Sequence, residues 1–217
     1  MSNKEIIKLE DYIDFSLLDA RATNADLEKL CDVAYKKQYH AVCVNSGNVK
    51  FVDGYVKSVL NDGLKVSTVV GFPLGAVSVD VKCFEAKQAI HDGADEIGFV
   101  INIGKVKSGD FSYVKNEIIK MRKVTKGCLL KVIIETCFLT ENELVSLLKI
   151  CAKNKVDFVE TSTGFGTGGV SNVQLRLMLD VLNGRCGVKV SGGVKTREQV
   201  IELINLGVCR IGTSKML

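Results

Sequence analysis

The sequence predicts an α/β fold, a single (β/α)8 TIM barrel whose closing C-terminal helix is short or absent. Eight short runs rich in Val and Ile alternate with amphipathic stretches, and each pair takes roughly 27 residues, as in a barrel of parallel strands. A doubly wound open sheet is the alternative, but no G-x-G-x-x-G turn follows the first run. Only a few residues separate the eighth run from Leu217, which leaves little room for a closing helix.

Each element has a local sequence signal. The strands are predicted at residues 12–14, 41–44, 65–70, 96–101, 129–135, 158–160, 188–190 and 209–211. The helices are predicted at residues 24–35, 79–91, 141–153, 171–182 and 197–206, and within 110–123. Thr23, Ser78 and Thr140 stand directly before three helices, where a hydroxyl oxygen can accept a hydrogen bond from a free backbone N–H. Gly93 follows the second helix, and glycine is common where a helix ends.

Composition is that of an ordinary globular chain, with one domain over residues 1–217. Apolar residues make up 47% and charged residues 25%, which excludes a disordered or fibrous protein. The net charge of +4 comes without a basic run, so we expect no nucleic-acid partner, although slight basicity suits a small anionic substrate. No run approaches the roughly 18–20 apolar residues of a membrane span, and residues 1–10 lack the apolar core of a signal peptide. We therefore expect a cytoplasmic protein with no membrane partner.

Cysteine and histidine usage gives no support to metal or disulfide chemistry. The eight cysteines form no C-x-x-C pair and most lie in apolar runs, which predicts free thiols rather than disulfides or a zinc site. The two histidines, His40 and His91, lie in or beside helical stretches, so a histidine-based triad or metal site is not expected. We expect neither a metal nor a cofactor.

Glycine and hydroxyl residues collect after the last three predicted strands, at 161–169, 191–193 and 212–214. Active sites of such barrels lie at the carboxyl ends of the strands, and glycine lets backbone N–H groups approach an anion closely. Tight turns alone could explain any one of these segments. Three of them at the expected barrel positions favour a phosphate site.

Charged residues inside apolar runs form a second set of candidates. Lys189 lies in a predicted strand, where a lysine is costly unless it is paired or functional. It is a candidate for an amine of lowered pKa, a phosphate partner or an ion-pair member. Lys131 and Glu135 share one face of their strand, so we expect an inward-facing ion pair, and Glu160 ends its strand directly before the first glycine segment. A structural ion pair is the alternative for each; together they indicate a site for a small phosphorylated carbonyl compound or sugar.

Ten segments spread over the chain carry a family resemblance. They include I-D-F-S-L-L at 13–18, G-A-D-E-I at 93–97, K-V-I-I-E-T at 131–136 and T-S-T-G-F at 161–165. The others lie at 42–45, 70–75, 84–90, 100–104, 191–194 and 210–214. In these segments, which cover nearly the whole chain, the sequence resembles the deoxyribose-phosphate aldolase family of the class I type.

The resemblance implies a barrel without a metal, usually a homo-oligomer such as a dimer or tetramer. It also implies reversible cleavage of 2-deoxyribose 5-phosphate to glyceraldehyde 3-phosphate and acetaldehyde. The family's chemistry uses a Schiff-base lysine, a second lysine that keeps the first one's pKa low, and an aspartate in the proton relay. The second lysine aligns with Lys189, but the Schiff-base position is Glu160 and the aspartate position is Gly98. A carboxylate forms no imine, and a facing Glu160 would raise the pKa of Lys189, so we expect turnover to fall by several orders of magnitude.

The strand positions and the resemblance together define a candidate site. The catalytic candidates are Lys189, Glu160, Gly98, Asp14 and Cys43. The candidates for substrate and phosphate binding are Lys131, Asn102, Glu135, Thr161, Gly164, Phe165, Gly192, Gly193, Gly212, Ser214 and Lys215. Lys215 stands where the family tends to carry a small residue, and its charge would add to the attraction of a phosphate.

Three functional hypotheses are compatible with these residues. In the first, the chain still acts on a small phosphorylated sugar or aldehyde, with Lys189 as an alternative imine-forming amine or Glu160 as a general base. In the second, it is a catalytically inactive phosphosugar-binding homologue with a sensing or regulatory role. In the third, Glu160 and Gly98 are changes introduced into an active parent.

Overall fold

The structure, a computed structural model, describes residues 8–60 and 63–217. Eight parallel strands close into a barrel in chain order, because the eighth strand pairs with the first. The strands are β1 (Ile13–Leu17), β2 (Ala41–Asn45), β3 (Lys65–Val70), β4 (Glu96–Val100), β5 (Leu129–Ile133), β6 (Phe158–Glu160), β7 (Gly187–Ser191) and β8 (Arg210–Thr213). The predicted barrel is confirmed, and the open-sheet alternative is wrong.

Helices cover the outside of the barrel. They are α1 (Asn24–Lys37), α2 (Val49–Tyr55), α3 (Val79–His91), α4 (Ile103–Lys107), α5 (Phe111–Val124), α6 (Glu141–Lys153), α7 (Asn172–Leu182) and α8 (Arg197–Leu206). Thr23 and Thr140 each form a reciprocal capping box, and the hydroxyl of Ser78 accepts from the backbone at the start of α3. Gly93 follows the end of α3 with a φ of 110°, a conformation that favours glycine.

The sequence prediction differs from the structure in a few elements. The fifth strand ends at Ile133 rather than at residue 135, because Glu135 takes a left-handed conformation with a φ of 50° that no strand accommodates. The short helices α2 and α4 were not predicted, since seven and five residues are too few to show a helical period. Residues 214–217, which follow β8, form no helix, as expected.

Two apolar clusters lie on either side of the barrel wall. The larger one packs outward-facing strand residues such as Val44 and Ile97 against helix residues such as Leu147 and Met178. The smaller one lies inside the barrel near the carboxyl ends of the strands, and it consists of Cys43, Val69, Val100 and Ile133. Below this small cluster the interior of the barrel is filled by charged side chains.

Other structural features bear on the class of protein. All eight cysteines are free thiols, as predicted. Within residues 8–60 and 63–217, no helix is both long enough and apolar enough to cross a membrane. The same described part of the chain contains no group of three or more His, Cys, Asp or Glu side chains placed to hold a metal ion.

Candidate active site

Six buried charged side chains meet inside the barrel, and we call them the charge network. Its three cations are Lys131, Lys189 and Arg210, and its three anions are Asp14, Glu96 and Glu160. They meet because alternate residues of a strand point to the same face, and the parallel register brings the inward positions of neighbouring strands level. Glu160 of β6 lies level with Lys189 of β7, which in turn lies level with Arg210 of β8.

Asp14 lies at the centre of the charge network. Its Oδ2 atom is 2.6 Å from Lys131 Nζ and 2.8 Å from Lys189 Nζ, and its Oδ1 atom is 2.8 Å from the Arg210 guanidinium. Burial alone would raise the pKa of this carboxyl group, but the three cations outweigh burial and hold the pKa well below its usual value. Asp14 is therefore ionised at neutral pH.

Glu96 closes the amino-terminal end of the charge network. Its carboxylate lies 2.6 Å from Lys131 Nζ and 3.2 Å from Arg210, and His40 Nε2 lies 3.1 Å away. Burial works against ionisation here as well, but the hydrogen bond with His40 and the charges of Lys131 and Arg210 lower the pKa of Glu96 to about 2. Glu96 and Arg210 were not among the predicted site residues. Glu96 and Arg210 each lie two residues before a predicted site residue, Gly98 and Gly212 respectively. Because alternate residues of a strand share a face, that spacing could have identified both as inward-facing.

Lys189 pairs with Glu160, as expected from the resemblance, and also with Asp14, which was not expected. Its Nζ atom lies 3.2 Å from Glu160 Oε1 in addition to its contact with Asp14. Ser191 donates a hydrogen bond of 2.6 Å to the same Glu160 oxygen. Burial would lower the pKa of Lys189, but the two carboxylates reverse that effect and raise the pKa well above its usual value. The amine is therefore protonated at neutral pH and is a poor nucleophile.

Gly98 of β4 lies close to Glu160 of β6 inside the barrel. A Cβ atom at Gly98 would lie 3.8 Å from Glu160 Oε2, and 3.5 Å from both Ile133 Cδ1 and the Thr68 carbonyl oxygen. These are ordinary van der Waals distances, so a small side chain fits at this position. Because Gly98 has no side chain, no carboxylate lies beside Glu160 at this position. A carboxylate there would be repelled by the negative charge of Glu160.

The predicted phosphate segments come together at the carboxyl ends of β6, β7 and β8. Gly164, Gly192 and Gly193 have φ values of 85°, 82° and 88°, which favour glycine. A Cβ atom at Gly164 would lie 4.0 Å from the Cα atom of Gly192, so the loops after β6 and β7 touch. A Cβ atom at Gly212 would lie 2.3 Å from Ser191 Oγ, so this position accepts no side chain unless its neighbours move.

Two other predicted phosphate residues, Ser214 and Lys215, lie on the exposed segment after β8. The backbone N–H of Lys215 donates to the hydroxyl of Thr213, which itself donates to the Val194 carbonyl in the loop after β7. The turn that carries Ser214 and Lys215 is thereby tied to the neighbouring glycine loop.

The predicted ion pair between Lys131 and Glu135 is wrong. Lys131 instead contacts Asp14, Glu96 and the Ser67 hydroxyl, because β5 ends before Glu135 and the left-handed turn redirects that side chain. The Glu135 carboxylate accepts hydrogen bonds from the backbone N–H of Thr163, at 3.3 Å to each oxygen, and from the Thr163 hydroxyl. Glu135 therefore shapes the loop after β6.

Thr161 and Asn102 also make structural contacts in this structure. The Thr161 hydroxyl donates to the Ser191 carbonyl and accepts from the Ser191 N–H, which ties β6 to β7. The Asn102 Oδ1 atom accepts from the backbone N–H of Lys105 and so caps α4. Both side chains hold the ends of strands in place rather than projecting unpaired into the site.

Cys43 and Phe165 lie on the apolar side of the site. Cys43 packs in the small cluster inside the barrel, and burial raises the pKa of its thiol although Lys189 and Lys131 oppose that effect. The ring of Phe165 meets Phe72 edge to face, with centroids 5.3 Å apart. These rings belong to the loops after β6 and β3, so their contact spans the carboxyl end of the barrel.

A second buried ion pair was missed by sequence reasoning. Lys82 and Glu117, both fully buried, are 2.6 Å apart. Lys82 also donates to the carbonyl oxygens of Gly75 and Val100 at 2.7 Å each, while Glu117 accepts from the backbone N–H of Asn102. The pair therefore anchors the loops after β3 and β4. The signal was the position of Lys82 on the apolar stripe of α3.

Comparison with known proteins agrees with this geometry. Residues 9–212 match the model of the DeoC/LacD family aldolase. A deoxyribose-phosphate aldolase of Thermococcus kodakarensis is 48% identical over 216 residues, covering 99% of this chain and 95% of that protein. One of Finegoldia magna is 50% identical over 208 residues, covering 96% of each.

A solved structure has the same fold. The tetrameric deoxyribose phosphate aldolase of Aeropyrum pernix superposes with a TM-score of 0.87 at 29% identity, covering 95% of this chain and 86% of that one. The family match extends over both the strands that carry the charge network and the glycine loops above it. The chain therefore belongs to the DeoC/LacD family of aldolases.

Proposed function

We propose that this chain acts on a small phosphorylated sugar or aldehyde of the 2-deoxyribose 5-phosphate class, as an aldolase-type lyase with greatly reduced turnover. The relatives' activity supports the substrate class. The glycine loops after β6 and β7, with the segment after β8, offer backbone N–H groups and Lys215 to a phosphate, and Lys189 lies just below them.

One observation carries the expectation of reduced turnover. The only lysine that aligns with a catalytic lysine of the family, Lys189, contacts both Asp14 and Glu160 and is 3% exposed. To form an imine, its amine would have to lose a proton that two carboxylates stabilise. Glu160 provides no amine of its own at the position where the resemblance implies one.

The same observation favours a second candidate function, in which the chain binds the phosphosugar without turning it over and serves in sensing or regulation. The two candidates share the binding site and differ only in whether carbon–carbon bond cleavage occurs. A binding measurement and an imine measurement on the same protein separate them.

The test combines calorimetric titration with 2-deoxyribose 5-phosphate and borohydride trapping followed by intact-mass spectrometry and peptide mapping. We expect binding of 2-deoxyribose 5-phosphate but not of unphosphorylated deoxyribose, and little or no trapped adduct. The double variant Glu160→Lys, Gly98→Asp should trap an adduct on residue 160 and cleave the sugar at least about 100-fold faster than the native chain. Glu160→Gln, which removes the carboxylate charge without supplying an amine, is the matched control and should trap no adduct on residue 160.

Three results separate the candidates. Slow cleavage by the native chain supports the lyase, whereas binding with no cleavage supports the sensing role. A failure to bind any phosphorylated sugar or aldehyde would contradict both. Native turnover equal to that of the double variant would contradict the expected loss of activity.

We also propose a homo-oligomer in the cytoplasm. The tetrameric relative supports the assembly, as do Leu74 before α3 and Phe84 on it, which are 74% and 71% exposed although apolar. Free thiols throughout the chain suit a reducing compartment. Light scattering on the purified chain tests the assembly, and a monomer at micromolar concentration would contradict it.

A further inference from the structure

One carboxylate oxygen of Glu160 accepts no hydrogen bond from the described part of the chain. Its Oε1 atom receives both the Ser191 hydrogen bond and the Lys189 contact. Its Oε2 atom has no hydrogen-bond partner among residues 8–60 and 63–217, although the side chain is only 8% exposed. Oε2 lies toward the space beside Gly98, where a Cβ atom would be 3.8 Å away. A glutamate carboxylate accepts hydrogen bonds through both of its oxygens, so Oε2 is available to a ligand.

Lys189 carries a matching unused donor. An ammonium group has three N–H donors, and those of Lys131 are taken by Asp14, Glu96 and Ser67. Lys189 has only Asp14 and Glu160 as partners in the described part of the chain. One N–H of Lys189 is thus available beside the Glu160 carboxylate, whose Oε1 atom lies 3.2 Å from Lys189 Nζ.

We propose that Glu160 and Lys189 catalyse non-covalent enolisation of a phosphorylated aldehyde, with Glu160 as general base and Lys189 as hydrogen-bond donor to the carbonyl oxygen. This inference rests on the proposed substrate class but needs no imine. The carbon–hydrogen bond next to the carbonyl breaks and its proton moves to Glu160 Oε2. The electron pair forms a carbon–carbon double bond, and the carbonyl π electrons move to the oxygen that the Lys189 N–H stabilises.

The reverse steps return a proton to carbon and regenerate both side chains. No oxidant, reductant or co-substrate is consumed, and the proton held by Glu160 exchanges with solvent. With an α-hydroxyl on the substrate, protonation at the other carbon converts the aldehyde into a ketone. Without one, as in 2-deoxyribose 5-phosphate, only hydrogen exchange results. The raised pKa of Lys189 keeps its ammonium available as a donor at neutral pH, which is the role that suits it here.

The experiment follows the loss of the C2 proton signal of 2-deoxyribose 5-phosphate in D2O by NMR, with the full chain. We expect exchange that falls at least about 100-fold in Glu160→Gln, because a positioned general base contributes roughly 10²–10⁴-fold. Glu160→Asp keeps a carboxylate and should retain more exchange than Glu160→Gln. Parallel borohydride trapping should find no adduct on Lys189 while exchange proceeds.

Each other outcome overturns the inference. Exchange that persists in Glu160→Gln would show that Glu160 is not the general base. An adduct on Lys189 would assign the proton transfer to imine chemistry. Calorimetric binding of the sugar phosphate without exchange would refute the enolisation and leave the proposed substrate class intact. No binding at all would refute the proposed function itself, so the two failures are distinguishable. Circular dichroism of each variant checks that the barrel remains folded.

Discussion

The effect on stability of a charge introduced at position 98 should depend on the charge at position 160, and a double-mutant cycle measures that dependence. The perturbation is Gly98→Asp, introduced into the native chain and into Glu160→Lys. The position accepts a small side chain because the nearest protein atoms to a new Cβ lie 3.5 Å away. The electrostatic effect therefore dominates the steric one. Gly98→Asn, which introduces a side chain of almost the same shape as aspartate but without its charge, isolates the contribution of charge.

The size of the expected stability change follows from the distances between the charged groups. Glu160 Oε1 and Lys189 Nζ, 3.2 Å apart, attract by about 5 kcal/mol at an effective dielectric constant of about 20. Two carboxylates about 4 Å apart at positions 98 and 160 repel by about 4 kcal/mol on the same basis. The network of three cations and three anions would then hold a fourth anion. Some of this repulsion is relieved when a carboxyl group takes up a proton, so we expect Gly98→Asp to cost about 2–4 kcal/mol more than Gly98→Asn in the native background.

The stability difference between Gly98→Asp and Gly98→Asn should change sign when Glu160→Lys is present. That substitution leaves four cations against Asp14 and Glu96, so a carboxylate at position 98 gains an opposite charge. In this background the Gly98→Asp variant should be more stable than the Gly98→Asn variant by about 1–3 kcal/mol. The assay is urea unfolding at neutral pH, followed by circular dichroism, for all four pairings. The result to compare is the difference in unfolding free energy between Gly98→Asp and Gly98→Asn. If that difference is the same in both backgrounds to within about 0.5 kcal/mol, positions 98 and 160 do not interact as the geometry requires.

Three further predictions concern stability. Lys82→Met should cost about 3–5 kcal/mol of unfolding free energy because it leaves Glu117 buried and unpaired, and adding Glu117→Leu should recover part of that cost in urea unfolding; a double variant no more stable than the single one would contradict this. The pKa of Glu96 is about 2 in the folded chain, below the value of an exposed glutamate, so its contribution to stability is present above about pH 4.5 and is lost as the pH falls toward 2. Glu96→Gln should flatten this part of the pH–stability curve, and an unchanged slope would show that Glu96 does not contribute. Gly212→Ala should cost about 1–3 kcal/mol because its Cβ would lie 2.3 Å from Ser191 Oγ; Ser191→Ala should restore part of that loss in a thermal melt, and no restoration would place the clash elsewhere.

Local features of the fold were predictable because they depend on neighbouring residues. The helix at Glu141–Lys153 begins and ends where the sequence predicts, since the Thr140 cap and the apolar period are properties of that segment alone. The strand Phe158–Glu160 and the helix Val79–His91 also match the predicted bounds. The eight-fold alternation of strands and helices predicted the barrel for the same reason, because each unit carries its own signal.

The contacts of Glu135 could not be predicted from the local sequence. Its spacing of four from Lys131 predicts a shared face only if the strand continues to residue 135. The strand stops at Ile133, and Glu135 binds Thr163, a residue 28 positions later in the chain. A turn stabilised by a distant hydrogen bond leaves no periodic mark in the local sequence.

By itself, the sequence determined the barrel, the glycine segments after the last strands, and the presence of Lys189 with Glu160 where the family resemblance implies two lysines. Only the tertiary structure decided which charges pair. Asp14 meets Lys131 and Arg210, which are 117 and 196 positions away, because β8 closes against β1 and brings every strand's inward face around one axis. The same closure left one oxygen of Glu160 without a hydrogen bond from the described residues. The physical reason is that pairing inside a barrel depends on register between strands, which hydrogen bonding across the whole sheet sets and no single segment encodes.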